Sequence, residues 1–155
     1  MNKFHRTAMG RKNFSTPVQY LLENELLSKT GTILDYGCGR GYDVQHLAEQ
    51  GFDIQGFDPH GIYNDYDALD VQYDVVMSNF VLNVIQDPVV RYQVEQTILF
   101  NLKEGGTAYI AVRNDKNVAD GCTSTGTWQG YVEPVSKKWE LVVSNSKFKM
   151  WKLTK

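Results

Sequence analysis

The chain has 155 residues, 42% of them hydrophobic, which suits one domain with a buried core and excludes wholesale disorder. The net charge is only −2, no apolar run approaches the length of a membrane span, and no apolar stretch follows the basic residues Lys3 and Arg6 as a secretory signal would require. Cys38 and Cys122 lie far apart without C-x-x-C spacing, which argues against a zinc site or disulfide framework and favours a reducing cytosol.

Residues 1–14 are polar and basic and read as an arm; residues 15–155 read as a single domain. Ser15-Thr16-Pro17 is a helix-start signal with Thr16 as cap, and Val18, Leu21, Leu22 and Leu26 follow on one face up to Gly31. Thr32–Asp35 is a short β-type run that stops at a glycine cluster. Asp43–Gln50 reads as a helix with Val44 and Leu47-Ala48 inward, and Phe52–Phe57 as a second strand ending at Asp58-Pro59. Residues 60–72 are acidic and irregular, so any third strand there is short. Asp74–Ser78 is an apolar run of buried-strand type, Val89–Leu102 a helix, and Glu104-Gly105-Gly106 a turn into the strand Thr107–Val112. Residues 113–130 read as a long loop over the site. Glu140–Val143 and Phe148–Leu153 form an antiparallel hairpin across Ser144-Asn145-Ser146. The alternation implies an α/β fold, a Rossmann-like and mostly parallel sheet flanked by helices, with ligands at the carboxyl ends of the strands.

The glycine cluster sits at such an end. Gly37, Gly39 and Gly41 let backbone approach a ligand closely. The spacing fails the dinucleotide pattern G-x-G-x-x-G, because Tyr42 or Val44 stands where the third glycine belongs; this counts against an oxidoreductase on the same fold. No Gly-Lys-Ser/Thr follows, which excludes a Walker A loop. The remaining pattern, Asp35-x-Gly37-x-Gly39-x-Gly41, resembles the first motif of the class I (Rossmann-like) S-adenosylmethionine-dependent methyltransferases. The resemblance implies that the loop wraps the methionine part of S-adenosylmethionine, and an acid at its start suits a ligand with an ammonium group. Asp58, 17 residues past Gly41, has two readings: a turn with Pro59, or a carboxylate accepting hydrogen bonds from two ribose hydroxyls, the role the family gives it.

The resemblance extends to Asp74–Ile85, where the family has a hydrophobic fourth strand preceded by an acid. Ser78, Asn79 and Phe80 would line the site there, with plain core as the alternative for Phe80 and Val81. The segments His5–Ala8, Arg11-Lys12, Ser15-x-Pro17, Asp35–Val44, Gly56–Pro59, Val81–Pro88 and Gly126–Gln129 are, in this order, similar to the methyltransferase family associated with DNA phosphorothioation, which implies a DNA-modification or phage-defence setting. The chain departs from that family in having no extra C-terminal region.

The cofactor set implied is Asp35, Gly37, Cys38, Gly39, Gly41, Asp58, Pro59, Ser78 and Asn79, with Asp67 or Asp70 at the adenine amino group. Candidates for chemistry are Asn79, Phe80 and His5, and those able to deprotonate an acceptor are His5, His60, Asp43 and Tyr42. Ser78-Asn79-Phe80-Val81 lacks the proline pair of DNA amino-methylating enzymes, and neither cysteine stands beside proline as a cytosine-C5 nucleophile does. The methyl acceptor is open between nucleic acid and a small molecule. Five basic residues in 1–29 against two acids, and six lysines in 134–155 against Glu140, read either as contacts to nucleic acid or as a solvated surface. The alternative function is a non-catalytic S-adenosylmethionine-binding sensor or partner subunit.

Overall fold

Six strands make the central sheet, in the order β2-β1-β3-β4-β8-β7. The structure is a computed structural model, described here for residues 13–118, 121–122 and 126–155. Its elements are α1 (Thr16–Glu23), β1 (Thr32–Tyr36), α2 (Tyr42–Glu49), β2 (Asp53–Phe57), β3 (Tyr73–Asn79), α3 (Pro88–Phe100), β4 (Leu102–Arg113), β5 (Gly121–Cys122), β6 (Trp128–Gln129), β7 (Glu140–Ser144) and β8 (Phe148–Thr154). The pairs β1–β2, β1–β3 and β3–β4 are parallel; β4–β8 and β7–β8 are antiparallel. The expected α/β sheet with a terminal hairpin is therefore present. The chain leaves β1 for β2 on one side and returns to β3 on the other, so the strand order reverses between β1 and β3. That reversal opens a crevice at their carboxyl ends.

The strand pleat sends alternate residues to opposite faces, and both faces are covered. Ile33, Met77, Tyr109 and Ala111 pack with Val18 and Leu21 of α1 and Leu47 of α2. Leu34, Val76, Ala108 and Ile110 pack with Val94 and Ile98 of α3 and with Val132 and Trp139 of the segment leading to β7. That segment has no helix of its own. It is pinned by Glu95 of α3, whose carboxylate accepts the Val135 and Ser136 N–H groups at 2.7 and 3.0 Å. At the opposite sheet end from the crevice, Asp74 accepts the Thr32 N–H at 2.8 Å and the Thr32 hydroxyl at 3.1 Å. These bonds, with Lys103 nearby, hold its carboxyl below the usual carboxylate range. The acid that precedes the family's hydrophobic strand thus aligns β1 with β3.

Several expected boundaries shift for local reasons. Ser15, not Thr16, caps α1: its backbone is extended and its hydroxyl accepts the Val18 N–H. The helix ends at Glu23 rather than Gly31, because Glu25 turns left-handed (φ 56°) and the Leu26 N–H closes on the Leu21 carbonyl; Leu26 is then left exposed. Ala48 faces solvent, since the buried face of α2 runs through Asp43, Val44 and Leu47. Between β2 and β3 there is no strand but a 3₁₀ turn, Tyr66–Leu69, which Asn101 holds by donating to the Leu69 and Val71 carbonyls. β4 begins at Leu102, ahead of Gly105-Gly106, because Tyr73 already pairs with Leu102 before a register shift. The loop after it carries the short pair β5–β6. Phe14, assigned to the arm, packs edge-on against Tyr42 and His46.

Glu95→Ala is expected to lower stability by about 2–3 kcal/mol, the value of hydrogen bonds to a charged group and of two donors left unmatched. Urea unfolding checks this, and a loss under about 0.5 kcal/mol would remove Glu95 as the anchor of the segment.

Candidate functional site

The crevice between β1 and β3 opens into a cavity of about 830 Å³. Its floor is the loop between β1 and α2. Gly37, Gly39 and Gly41 all have positive φ, at 80°, 58° and 81°. A side chain at Gly37 would run into Val81, and one at Gly41 into the Tyr63 ring. Only glycine keeps this path, and the path presents backbone rather than side chains to the cavity. The loop is braced against β2: the Phe57 carbonyl accepts the Gly37 and Cys38 N–H groups at 2.7 and 3.0 Å.

Asp58 follows β2 directly. Its Oδ2 accepts the Gly39 N–H and its Oδ1 the His60 N–H, both at 2.9 Å. Each carboxylate oxygen keeps a further lone pair. The turn reading and the ligand reading of Asp58-Pro59 are therefore compatible, because one carboxylate shapes the turn and still lines the cavity with Pro59. Asp35 is 3% exposed beneath the loop and also lines the cavity. Cys38 does too, but burial first, and then the Asp35 and Asp58 carboxylates, push its thiol well above the ordinary range. It stays protonated at neutral pH and makes a poor nucleophile.

β3 supplies the wall. Asn79 lines the cavity at 9% exposed, and neither its Oδ1 nor its Nδ2 has a hydrogen-bond partner. Buried amides are nearly always paired, so this one keeps both its donors and its acceptor available to the cavity. Phe80 follows with φ 62°, a left-handed conformation that costs a non-glycine residue about 1–2 kcal/mol. Its N–H donates to the Ala111 carbonyl at 2.9 Å, and its ring both lines the cavity and packs on the core. Phe80 is thus part of the cavity wall and of the core at once.

Other expected residues fall elsewhere. Ser78 points into the sheet interior, fully buried, and does not line the cavity, because the pleat turns it away from Asn79. Asp67 and Asp70 are exposed and outside the lining, since the 3₁₀ turn holds them at the surface. Of the candidate bases, Tyr42 and Asp43 line the cavity, and Asp43 accepts the Ser15 N–H and hydroxyl at 3.0 and 2.8 Å, joining α1 to α2. His60 is outside the lining, His5 lies outside the described residues, and so does the Cys122 side chain.

The far wall was not singled out in the sequence. Arg113 ends β4 and grips Asp115 through two bonds, 2.7 and 2.6 Å, while also donating to Gln129 of β6. This holds the Asp115 carboxyl below the usual range. Asn83 accepts the Arg113 N–H at 3.3 Å and, through its carbonyl, the Gly130 N–H at 2.9 Å. Lys147, from the β7–β8 turn, completes the wall. The signal was available: Arg113 directly follows the expected strand Thr107–Val112, at the carboxyl end where sites form.

A methyltransferase-domain family model matches residues 6–149. No curated protein matches the chain. The fold is similar to that of TehB from Haemophilus influenzae, at TM-score 0.64 and 16% identity over 94% of this chain and 63% of that one, so the chain spans less than two thirds of that protein. It is also similar to the 1,6-didemethyltoxoflavin-N1-methyltransferase of Burkholderia thailandensis, solved with its substrate and S-adenosylhomocysteine (TM-score 0.63, 16% identity, 90% of this chain and 78% of that one). An S-adenosylmethionine-dependent methyltransferase from Methanosarcina mazei matches at TM-score 0.62 and 15% identity, over 86% of this chain and 98% of that one.

Gly37→Ala and Gly61→Ala share the cost of a left-handed alanine, about 1–2 kcal/mol, but Gly61 has no atom near its would-be side chain. Gly37→Ala is therefore expected to cost about 1–3 kcal/mol more through the clash with Val81. Equal losses in parallel denaturant curves would show that Val81 does not fix the loop.

Proposed function

The chain belongs to the methyltransferase-domain family, and from that premise we propose that it transfers a methyl group from S-adenosylmethionine to an acceptor bound in the same cavity. The observation that carries this reading is the Asp58–Gly39 bond, which ties a left-handed glycine loop to a carboxylate at the end of β2. The residues present fit such a donor. The loop backbone between Asp35 and Gly41 can hold the amino-acid part, with the buried Asp35 suited to its ammonium group. Asp58 can take two ribose hydroxyls on the lone pairs that Gly39 and His60 leave over. Pro59 and the apolar residues Val84 and Ile85 give a surface for a purine ring.

When bound, S-adenosylmethionine supplies a methyl carbon on a positively charged sulfur, which keeps the electron pair of the broken carbon–sulfur bond as the acceptor's lone pair forms the new one. The chain's contribution is alignment. Asn79 and Phe80, fixed at the end of β3, hold the acceptor face of the cavity, and alignment supplies most of what such a transfer needs. Asp43 is held by Ser15 and Cys38 stays a thiol, so neither is assigned a proton-transfer role. The similarity of several segments to the family associated with DNA phosphorothioation supports a cytoplasmic, phage-defence setting as the finer version of this proposal and does not name the methyl acceptor.

Asp58→Ala is expected to weaken S-adenosylhomocysteine binding by about 1–3 kcal/mol, the cost of unmatched hydrogen bonds. Isothermal titration calorimetry reads this directly. Unchanged affinity in a variant that remains folded by circular dichroism would take Asp58 out of the site.

A further inference from the structure

The two ends of the cavity carry opposite charge. At the glycine loop the lining includes Asp35, Asp43 and Asp58 against Arg40 alone. At the far end it includes Arg113 and Lys147 against Asp115, whose charge the Arg113 guanidinium already faces across two hydrogen bonds. We propose that the far end is the acceptor subsite and that the acceptor is a small organic acid, its carboxylate or equivalent anion held by Lys147 and the free edge of Arg113; this rests on the methyl-transfer reading above.

Arg113 is fixed in advance of any ligand, and a turn fixes the backbone that carries Lys147. Arg113 has five N–H donors in a rigid fork. Asp115 and Gln129 take three of them and leave the rest directed by the same geometry. Lys147 stands on a tight turn in which the Asn145 side chain accepts the Lys147 and Phe148 N–H groups at 2.9 Å each, and the Lys147 carbonyl accepts from Asn114 at 3.0 Å. Its ammonium group has no hydrogen-bond or ion-pair partner among the described residues. Between this pair and the glycine loop lie the unpartnered Asn79 amide and the Phe80 ring, able to bond and to stack a planar body.

Small size follows from the volume available. One cavity of about 830 Å³ takes donor and acceptor together. Two of the other C-terminal lysines are engaged elsewhere: Lys149 binds the Tyr131 hydroxyl at 2.8 Å, and Lys155 donates to the Leu99 and Leu102 carbonyls where α3 gives way to β4.

The test uses three probes of one shape and different charge: benzoate, benzamide and benzylammonium. Each is titrated by protein-detected NMR into the full chain saturated with S-adenosylhomocysteine, whose own binding is followed by calorimetry. Benzoate is expected to bind saturably and at least about threefold more tightly than benzamide, with benzylammonium weakest, as for a partly exposed ion pair. Lys147→Gln is expected to abolish that preference, whereas Lys152→Gln, on the same hairpin but outside the cavity, keeps it. No benzoate binding, equal affinity for benzoate and benzamide, or a preference that survives Lys147→Gln overturns this proposal while leaving the donor reading intact. Failure of S-adenosylhomocysteine to bind at all overturns the methyl-transfer reading and the acceptor subsite with it.

Discussion

Asp58 accepts the Gly39 N–H across 2.9 Å, and through that bond the end of β2 holds the loop that follows β1. The loop cannot hold itself. Three residues with positive φ forgo regular backbone pairing, so their shape depends on what they lean against. Here they lean on the Phe57 carbonyl, the Asp58 carboxylate and the Val81 side chain, each at the carboxyl end of a parallel strand or just beyond it. The parallel register of β1 with β2 and β3 brings those supports together. Hydrophobic packing on both faces of the sheet sets the register, because a slip of one residue would send Ile33 and Leu34 to the wrong layers.

The chain achieves this with few connecting elements. A 3₁₀ turn joins β2 to β3, and an irregular segment anchored by Glu95 covers one face of the sheet before β7. Buried hydrogen bonds replace regular structure in both places. Asn101 holds the first and Glu95 the second, each a polar side chain buried to 1% exposure or less. Val89, Tyr92 and Phe100 of α3 are exposed, as is Tyr66 of the 3₁₀ turn.

The sequence made the sheet and the glycine-loop side of the cavity legible and left the side at the end of β4 dark, for a physical reason. Glycine spacing, an acid after a strand and apolar runs are local signals, and each reports backbone geometry within a few residues. They led to Gly37–Gly41, Asp58 and Asn79. Arg113, Gln129 and Lys147 meet only after β4, β6 and the β7–β8 turn have folded over one another; a short window of sequence marks Arg113 only as the residue after a strand and Gln129 only as part of a family-like segment, and nothing in it marks Lys147. Ser78 shows the same limit in reverse: it sits one residue from Asn79, yet the pleat sends it to the opposite side. Asp67 and Asp70 looked usable because the segment is acidic, but the 3₁₀ turn directs them outward.

A crystal structure of the chain grown with S-adenosylhomocysteine tests the account most directly. The account places the ribose hydroxyls within hydrogen-bond distance of the Asp58 carboxylate, the amino-acid part along Gly37–Gly41, and the sulfur facing Asn79 and Phe80 with room beyond it toward Arg113 and Lys147. Ligand bound in that cavity with its ribose away from Asp58, or ordered only elsewhere on the protein, would contradict it.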